Sequence, residues 1–194
     1  MSPGASVVGE DGRLRCPWGL SNPDYVSYHD DEWGRPIRTD NGLYERLTLE
    51  GFQSGLSWLT ILRKRDNFRK AFADFDIATV ATFGDDDRAR LLADAGIIRH
   101  GGKIDAALAN ARAAAELDEP LHELIWRFAP EARPAPRALD EVPAKTTEST
   151  AMAKELKRRG FRFVGPTTAY ALMQAAGLVN DHLADCWARK RVGR

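Results

Sequence analysis

Two cysteines, Cys16 and Cys186, stand near opposite ends of a chain of 194 residues, and each travels with a histidine, His29 and His182. Two thiols and two imidazoles make a complete tetrahedral donor set for zinc. If the four converge, one ion staples the N-terminal segment to the C-terminal one, and every fold that keeps the ends apart is excluded. The i, i+4 spacing of His182 and Cys186 places them on one face of a helix. Pro17, Gly19 and Pro23 give the segment between Cys16 and His29 the turns to fold back. A site filled by four protein donors has no vacancy for water, so such a zinc is structural and not hydrolytic. On the residues alone, two buried cysteines with two ordinary histidines remain the competing reading, because the spacing is not that of a standard finger.

The bulk of the sequence is that of a globular domain, with 43% hydrophobic and 29% charged residues. At this length a core forms without disulfides. No apolar run is long enough to span a bilayer, and the segment before Arg15 lacks the core of a secretory signal. A cytoplasmic protein with no membrane partner is expected, in a compartment that favours free or metal-bound thiols. Twenty-eight basic residues balance 28 acidic ones. That excludes a polybasic nucleic-acid binder but leaves room for a local basic face. Lys154, Lys157, Arg158, Arg159 and Arg162 form the densest such cluster; a solvated helix face explains it equally well.

Helical periodicity runs through most of the chain. Leu43, Leu47 and Leu49 follow Thr39-Asp40, Trp58 and Ile61 follow Ser57, and Phe68, Ala71 and Phe72 follow Asp66. Val80 follows Asp76, and Leu91 follows the acidic run at residues 85–87. Ile104, Leu108 and Ala111 make another stripe, and Leu121, Leu124 and Ile125 the next. Pro130, Pro134, Pro136 and Pro143 mark one long irregular loop. Met152 and Leu156 precede Gly160, and a last helix starts near Pro166. Strand signals are weak. The expectation is one all-α domain of about eight to ten short helices over residues 14–187, with loose tails at 1–13 and 188–194. A monomer is the default.

Three further groupings carry chemistry. Trp18, Tyr25, Tyr28 and Trp33 crowd one segment, and Trp58 follows. Flat side chains can sandwich a planar base, although a plain aromatic core explains them too. Glu50 follows an apolar face and precedes Gly51; a carboxyl at that place is paired or solvated, or else lines a pocket for a cation or acid–base work. The run from Arg158 to Tyr170 joins basic residues, a glycine turn and a helix start bearing Thr167 and Thr168. That is a plausible phosphate site, or a bare corner between two helices.

Taken together, these segments resemble the bacterial 3-methyladenine DNA glycosylase I family, constitutive alkylation-repair enzymes of the helix-hairpin-helix superfamily. The resemblance rests on Cys16 to Gly19, Tyr28 to Gly34, Leu49 to Gly51, Gly55 to Trp58, Gly96 to His100, and Gly160 to His182. It implies a helix-hairpin-helix glycosylase fold with a zinc clasp joining the N- and C-terminal segments through Cys16, His29, His182 and Cys186. It makes Glu50 the catalytic carboxylate that contacts the damaged base. Tyr28 and Trp58 lie around that base, with Trp18, Tyr25 and Trp33 nearby. Arg159, Gly160, Arg162, Gly165, Thr167 and Thr168 become the DNA-binding hairpin. The implied reaction is base excision repair on double-stranded DNA containing alkylated adenine: base flipping, hydrolysis of the N-glycosidic bond and an abasic product. No motif places a lysine for Schiff-base chemistry, so a monofunctional enzyme is expected.

The chain departs from the wider superfamily in two places. Phe163-Val164-Gly165 keeps only the second glycine of the usual hairpin pair. Asn180 falls where many relatives carry an aspartate, with Asp181 one residue away. Residues up to Arg13 have no counterpart. A glycosylase for another lesion and a non-catalytic zinc-stabilised DNA-binding module are the rivals; an acid inside the aromatic segment argues against the second.

Overall fold

Helix α2 (Asp40–Gln53) organises the molecule. Thr39 has extended backbone and Asp40 places its charge in the first turn, where the helix dipole favours it. From Leu43 to Phe52 nearly every residue is buried, so α2 is a core helix with no solvent face. The structure, a computed structural model, describes residues 4–192. Among these, nine α-helices form the fold, and the expected all-α architecture is what is seen.

Around α2 lie α1 (Pro23–Asp31), α3 (Trp58–Ala71), α4 (Ile77–Ala81), α5 (Asp85–Ala93), α6 (Gly101–Ala115), α7 (Leu121–Trp126), α8 (Thr147–Arg158) and α9 (Pro166–Ala175). Local chemistry starts several of them. Ser57 Oγ accepts from the Thr60 amide, Asp76 from that of Thr79, and Thr146 and Ser149 cap α8 reciprocally. The stripes on either side of Asp66 belong to one continuous helix, α3. Phe52, Phe68, Phe72 and Phe75 fill the centre with rings 4.7 to 6.2 Å apart. Each contributes about 2–3 kcal/mol through burial.

Gly177 has φ +75°, a left-handed conformation that disfavours side chains. A Cβ there would lie 2.6–2.7 Å from backbone atoms of Gly34, Arg35 and Pro36. The connection between α1 and α2 is thereby pressed onto the end of α9, and the Ile37 amide donates to the Ala176 carbonyl. Gly177→Ala is expected to cost about 2–4 kcal/mol, read as a lower denaturation midpoint at unchanged slope.

α8 and α9 form a helical hairpin. Gly160, at φ +93°, ends α8; Pro166 starts α9 at a position where its missing N–H costs nothing. The Asn110 side chain clamps the turn by accepting from the Arg162 amide at 2.7 Å and donating to its carbonyl at 3.1 Å. Phe163 has φ +54°, so the turn takes a glycine-like backbone at a position that carries no glycine.

Two expectations change. Both segments read as loose tails contain a short element among the described residues. Strand β1 (Val7–Val8) pairs antiparallel with β2 (Leu14–Arg15), and a short 3-10 turn at Trp187–Arg191 buries Ala188, with Val192 buried after it. Residues 1–3, 193 and 194 lie outside the described residues. Arg13 lies 4.0 Å over the Trp187 ring and Arg191 4.5 Å, which ties the two ends together. Second, His182 and Cys186 are not on a helix. α9 has already ended, and they flank a turn in which the Cys186 amide donates to the Leu183 carbonyl.

Candidate active site and metal centre

The four clasp residues converge as the sequence proposes. Cys16, His29, His182 and Cys186 are all buried, and their ligand atoms lie within 4.8 Å of one another. Cys186 Sγ is 3.6 Å from both His29 Nε2 and His182 Nδ1; Cys16 Sγ is 3.9 Å from His182 Nδ1. Donors on a zinc tetrahedron with bonds of about 2.0–2.3 Å sit roughly 3.5 Å apart, so the spacing fits. The outer contacts fit as well. His29 Nδ1 is 2.7 Å from Asp30, and His182 Nε2 is 3.1 Å from the Trp33 carbonyl, which leaves one nitrogen of each ring facing the centre. Asp30 also accepts from Arg15 and from the Trp187 indole. Burial opposes its ionisation, but the bonds from Arg15 and His29 prevail and hold its carboxyl below the usual value. Contact between the two sulfurs draws the Cys186 thiol down and, together with burial, pushes the Cys16 thiol up. A dication at the centre relieves that conflict by favouring two thiolates.

The clasp stands against the aromatic segment. Trp18 packs edge-on to the His29 ring at 5.0 Å, and Trp33 to His182 at 4.7 Å. Trp18 meets Tyr25 at 5.8 Å and Trp33 at 5.0 Å; Tyr28 meets Trp58 at 5.4 Å. All five predicted aromatic residues, Trp18, Tyr25, Tyr28, Trp33 and Trp58, line one cavity of about 570 Å³, together with Glu50. That volume accommodates a purine with its sugar.

Because α2 has no solvent face, Glu50 is only 6% exposed. Among the described residues no hydrogen bond reaches its carboxyl. Burial pushes its pKa up to about 7, with the positive charge of Arg46 pulling modestly the other way. Arg46, buried one turn earlier on α2, donates to the Tyr28 hydroxyl at 3.1 Å. Its guanidinium lies 5.5 Å from the Tyr28 ring and 5.7 Å from that of Trp58. Burial raises the Tyr28 phenol, which therefore stays neutral.

Sequence reasoning missed the opposite wall. Leu139, Val142 and Pro143, from the proline-marked loop, line the cavity, as do Gln174 and Asp181. Asp181 is buried and held from three sides: Tyr170 Oη at 2.5 Å, Gln174 Nε2 at 3.0 Å and Arg133 at 3.3 Å. Asn180, singled out from the sequence, faces elsewhere; its amide donates to the Arg189 carbonyl. Asp181 thus brings a second carboxylate to the cavity. The sequence marked it only as the residue next to Asn180, one position from where many superfamily members carry an aspartate.

The hairpin residues divide. Arg162 and Thr167 are exposed, Gly160 and Gly165 open onto the surface, and Thr168 is half-buried. Arg159 instead pairs with Asp118, Glu119 and Glu155 and spends its charge within the fold. Arg158 pairs with Glu155 as well. Lys154 and Lys157 remain exposed on α8. Gly51, next to Glu50, faces the hairpin: a Cβ there would lie 3.8 Å from Phe163, an ordinary contact distance.

The comparisons agree with this geometry. A family model described as methyladenine glycosylase matches residues 18–190. The chain is 47% identical to DNA-3-methyladenine glycosylase 1 of Escherichia coli over 177 residues, which is 89% of this chain and 95% of that one. A crystal structure of 3-methyladenine DNA glycosylase I superposes with a TM-score of 0.85 at 45% identity, covering 89% of this chain and 98% of that one. A Staphylococcus aureus enzyme whose structure concerns 3-methyladenine recognition superposes equally well at 32% identity, over 90% and 96% of the two chains. With the match spanning α1 through the clasp, the chain belongs to the methyladenine glycosylase family.

Proposed function

We propose that this protein is a monofunctional DNA-repair glycosylase that excises 3-methyladenine from alkylated double-stranded DNA. One observation carries the reading: a buried carboxyl with no hydrogen-bond partner among the described residues stands inside a cage of aromatic rings. Methylation at N3 gives adenine a positive charge. The cage stacks on its flat face, and the Glu50 carboxylate complements its charge and edge, which neutral adenine cannot match. Tyr28 and Trp58 form the stacking pair, with Trp18, Tyr25 and Trp33 closing the cavity around them.

The reaction asks little of the protein. The glycosidic bond of a cationic base is already weakened. The C1′–N9 bond breaks, its electron pair passes to the base, and 3-methyladenine leaves neutral. Water adds to C1′ of the oxocarbenium-like sugar and releases a proton to solvent, leaving an abasic site. Cys16, His29, His182 and Cys186 hold a zinc ion whose chemistry is structural, since four protein donors complete its tetrahedron. The clasp instead orients the chain on which Tyr28 sits.

The α8–α9 hairpin grips the phosphates through Arg162, the first-turn amides of α9 and the Thr167 and Thr168 hydroxyls. Arg162→Ala is expected to weaken binding to undamaged duplex and to lower the salt slope by about one, with free-base affinity unchanged. The enzyme acts as a monomer on DNA in the cytoplasm. Incubation with methylated duplex, with released bases separated and abasic sites scored, tests the reading. Release of 3-methyladenine with strands left unbroken is expected. Binding without release would favour a DNA-binding module, and preferential release of 7-methylguanine a different lesion.

A further inference from the structure

The first residues of the chain precede the family match, which begins at residue 18, yet they reach the far side of the cavity. The Leu139 amide donates to the Gly4 carbonyl at 3.1 Å. Gly4 has φ +87°, and a Cβ on it would lie 3.1 Å from the Leu139 nitrogen, so the approach depends on glycine. Ser6 donates to the carboxylate of Asp185, one residue before the clasp cysteine. The Ala184 amide in turn donates to the Pro136 carbonyl at 2.7 Å. Pairing of β1 with β2 fixes the direction of the strap, and Asp11 holds Arg15 at 2.7 and 2.8 Å. The extension, the proline-marked loop and the clasp turn are therefore stitched at three points around Leu139, a cavity residue that is 36% exposed.

We propose that the N-terminal extension, residues 4–13, is a positioning element for the cavity. It holds Leu139 and its loop against the cavity and so sets how tightly the excised base is retained. A loop fixed before binding does not lose its freedom when the ligand arrives, and the difference appears as affinity. The inference rests on reading the cavity as a base pocket. Its partner chemistry is the flat, partly apolar face of a methylated purine.

The test compares the zinc-loaded full-length chain with three variants: a chain lacking residues 1–9, Gly4→Ala, and Leu139→Ala. The truncation spares Asp11 and all four clasp residues. Free 3-methyladenine is titrated into each, and kcat and KM are measured on methylated duplex well below the melting temperature. Affinity for the free base is expected to fall about tenfold in the truncated chain and in Leu139→Ala, the scale of one lost apolar contact. Gly4→Ala is expected to move the same way. KM should rise while kcat and zinc content hold. Truncation combined with Leu139→Ala should add little to either alone, because both remove one wall. Full additivity, or equal base affinity in the full-length and truncated chains, overturns the proposal while leaving the pocket reading intact. Failure of the full-length chain to bind the base overturns both.

Discussion

Glu50→Gln is expected to lower excision of 3-methyladenine by about a hundredfold or more while making the folded protein more stable at neutral pH. The two effects share one cause. Glu50 sits on a helix with no solvent face, and burial lifts its pKa from 4.5 to about 7. Between those values the folded state binds more protons than the unfolded one, so stability falls as pH climbs through the window. Above pH 7 the buried carboxylate costs about 3 kcal/mol, a cost that Gln does not carry. The stability gap between the variant and the parent should be near zero at pH 4 and fully open at pH 8. Denaturation midpoints at the two pH values check this. Activity runs the other way. The ionised form complements the cationic nucleotide, so kcat/KM of the parent should fall about tenfold per pH unit below about 7. The Gln variant should lack that limb. A stability gap that is flat with pH would contradict the buried acid, and an unchanged release rate would remove Glu50 from recognition.

Removing the zinc is expected to have the largest effect on stability. Cys186→Ser leaves three donors in a buried site whose Asp30 and Trp33 contacts are arranged for four. Loss of about 5 kcal/mol, part of what a structural zinc supplies to folding, corresponds to a fall in Tm of roughly 10–20 °C for a domain of this size. Metal analysis should give one zinc per chain in the parent and a sub-stoichiometric amount in the variant. Base affinity should fall in step with zinc loss, because Trp18 and Trp33 pack on the ligand rings themselves. Unchanged zinc content and Tm in the variant would refute the clasp.

The clasp and the aromatic wall were legible in the sequence because their residue types are scarce and their segments short. A chain with two cysteines offers few ways to build a closed site, and an acid followed within eight residues by Trp58, after four aromatics in one short segment, points to one aromatic wall. The loop wall was not legible. Leu139, Val142 and Pro143 carry no periodicity, and their loop is held by backbone bonds from Leu139 to Gly4 and from Ala184 to Pro136, which no side-chain pattern records. Arg159 was misleading for a related reason: its partners Asp118 and Glu119 are distant in sequence, so a paired guanidinium and a free one look alike. Asn180 and Asp181 differ by one position, and in the irregular segment after α9 one position decides which side chain meets the cavity. The turn at His182–Cys186 shows the same limit: i, i+4 spacing brings two donors together on a helix, and a tight turn does so as well.

The burial of the clasp also bears on the conditions under which such an enzyme works. Agents that methylate adenine also attack thiolates, the strongest nucleophiles a protein displays. This chain has no thiol besides those of Cys16 and Cys186, and these are 0% and 3% exposed behind Trp18 and Trp187. An electrophile in solution therefore finds no cysteine to react with until the fold opens. The protein that removes alkylation damage keeps its own most alkylatable atoms out of reach.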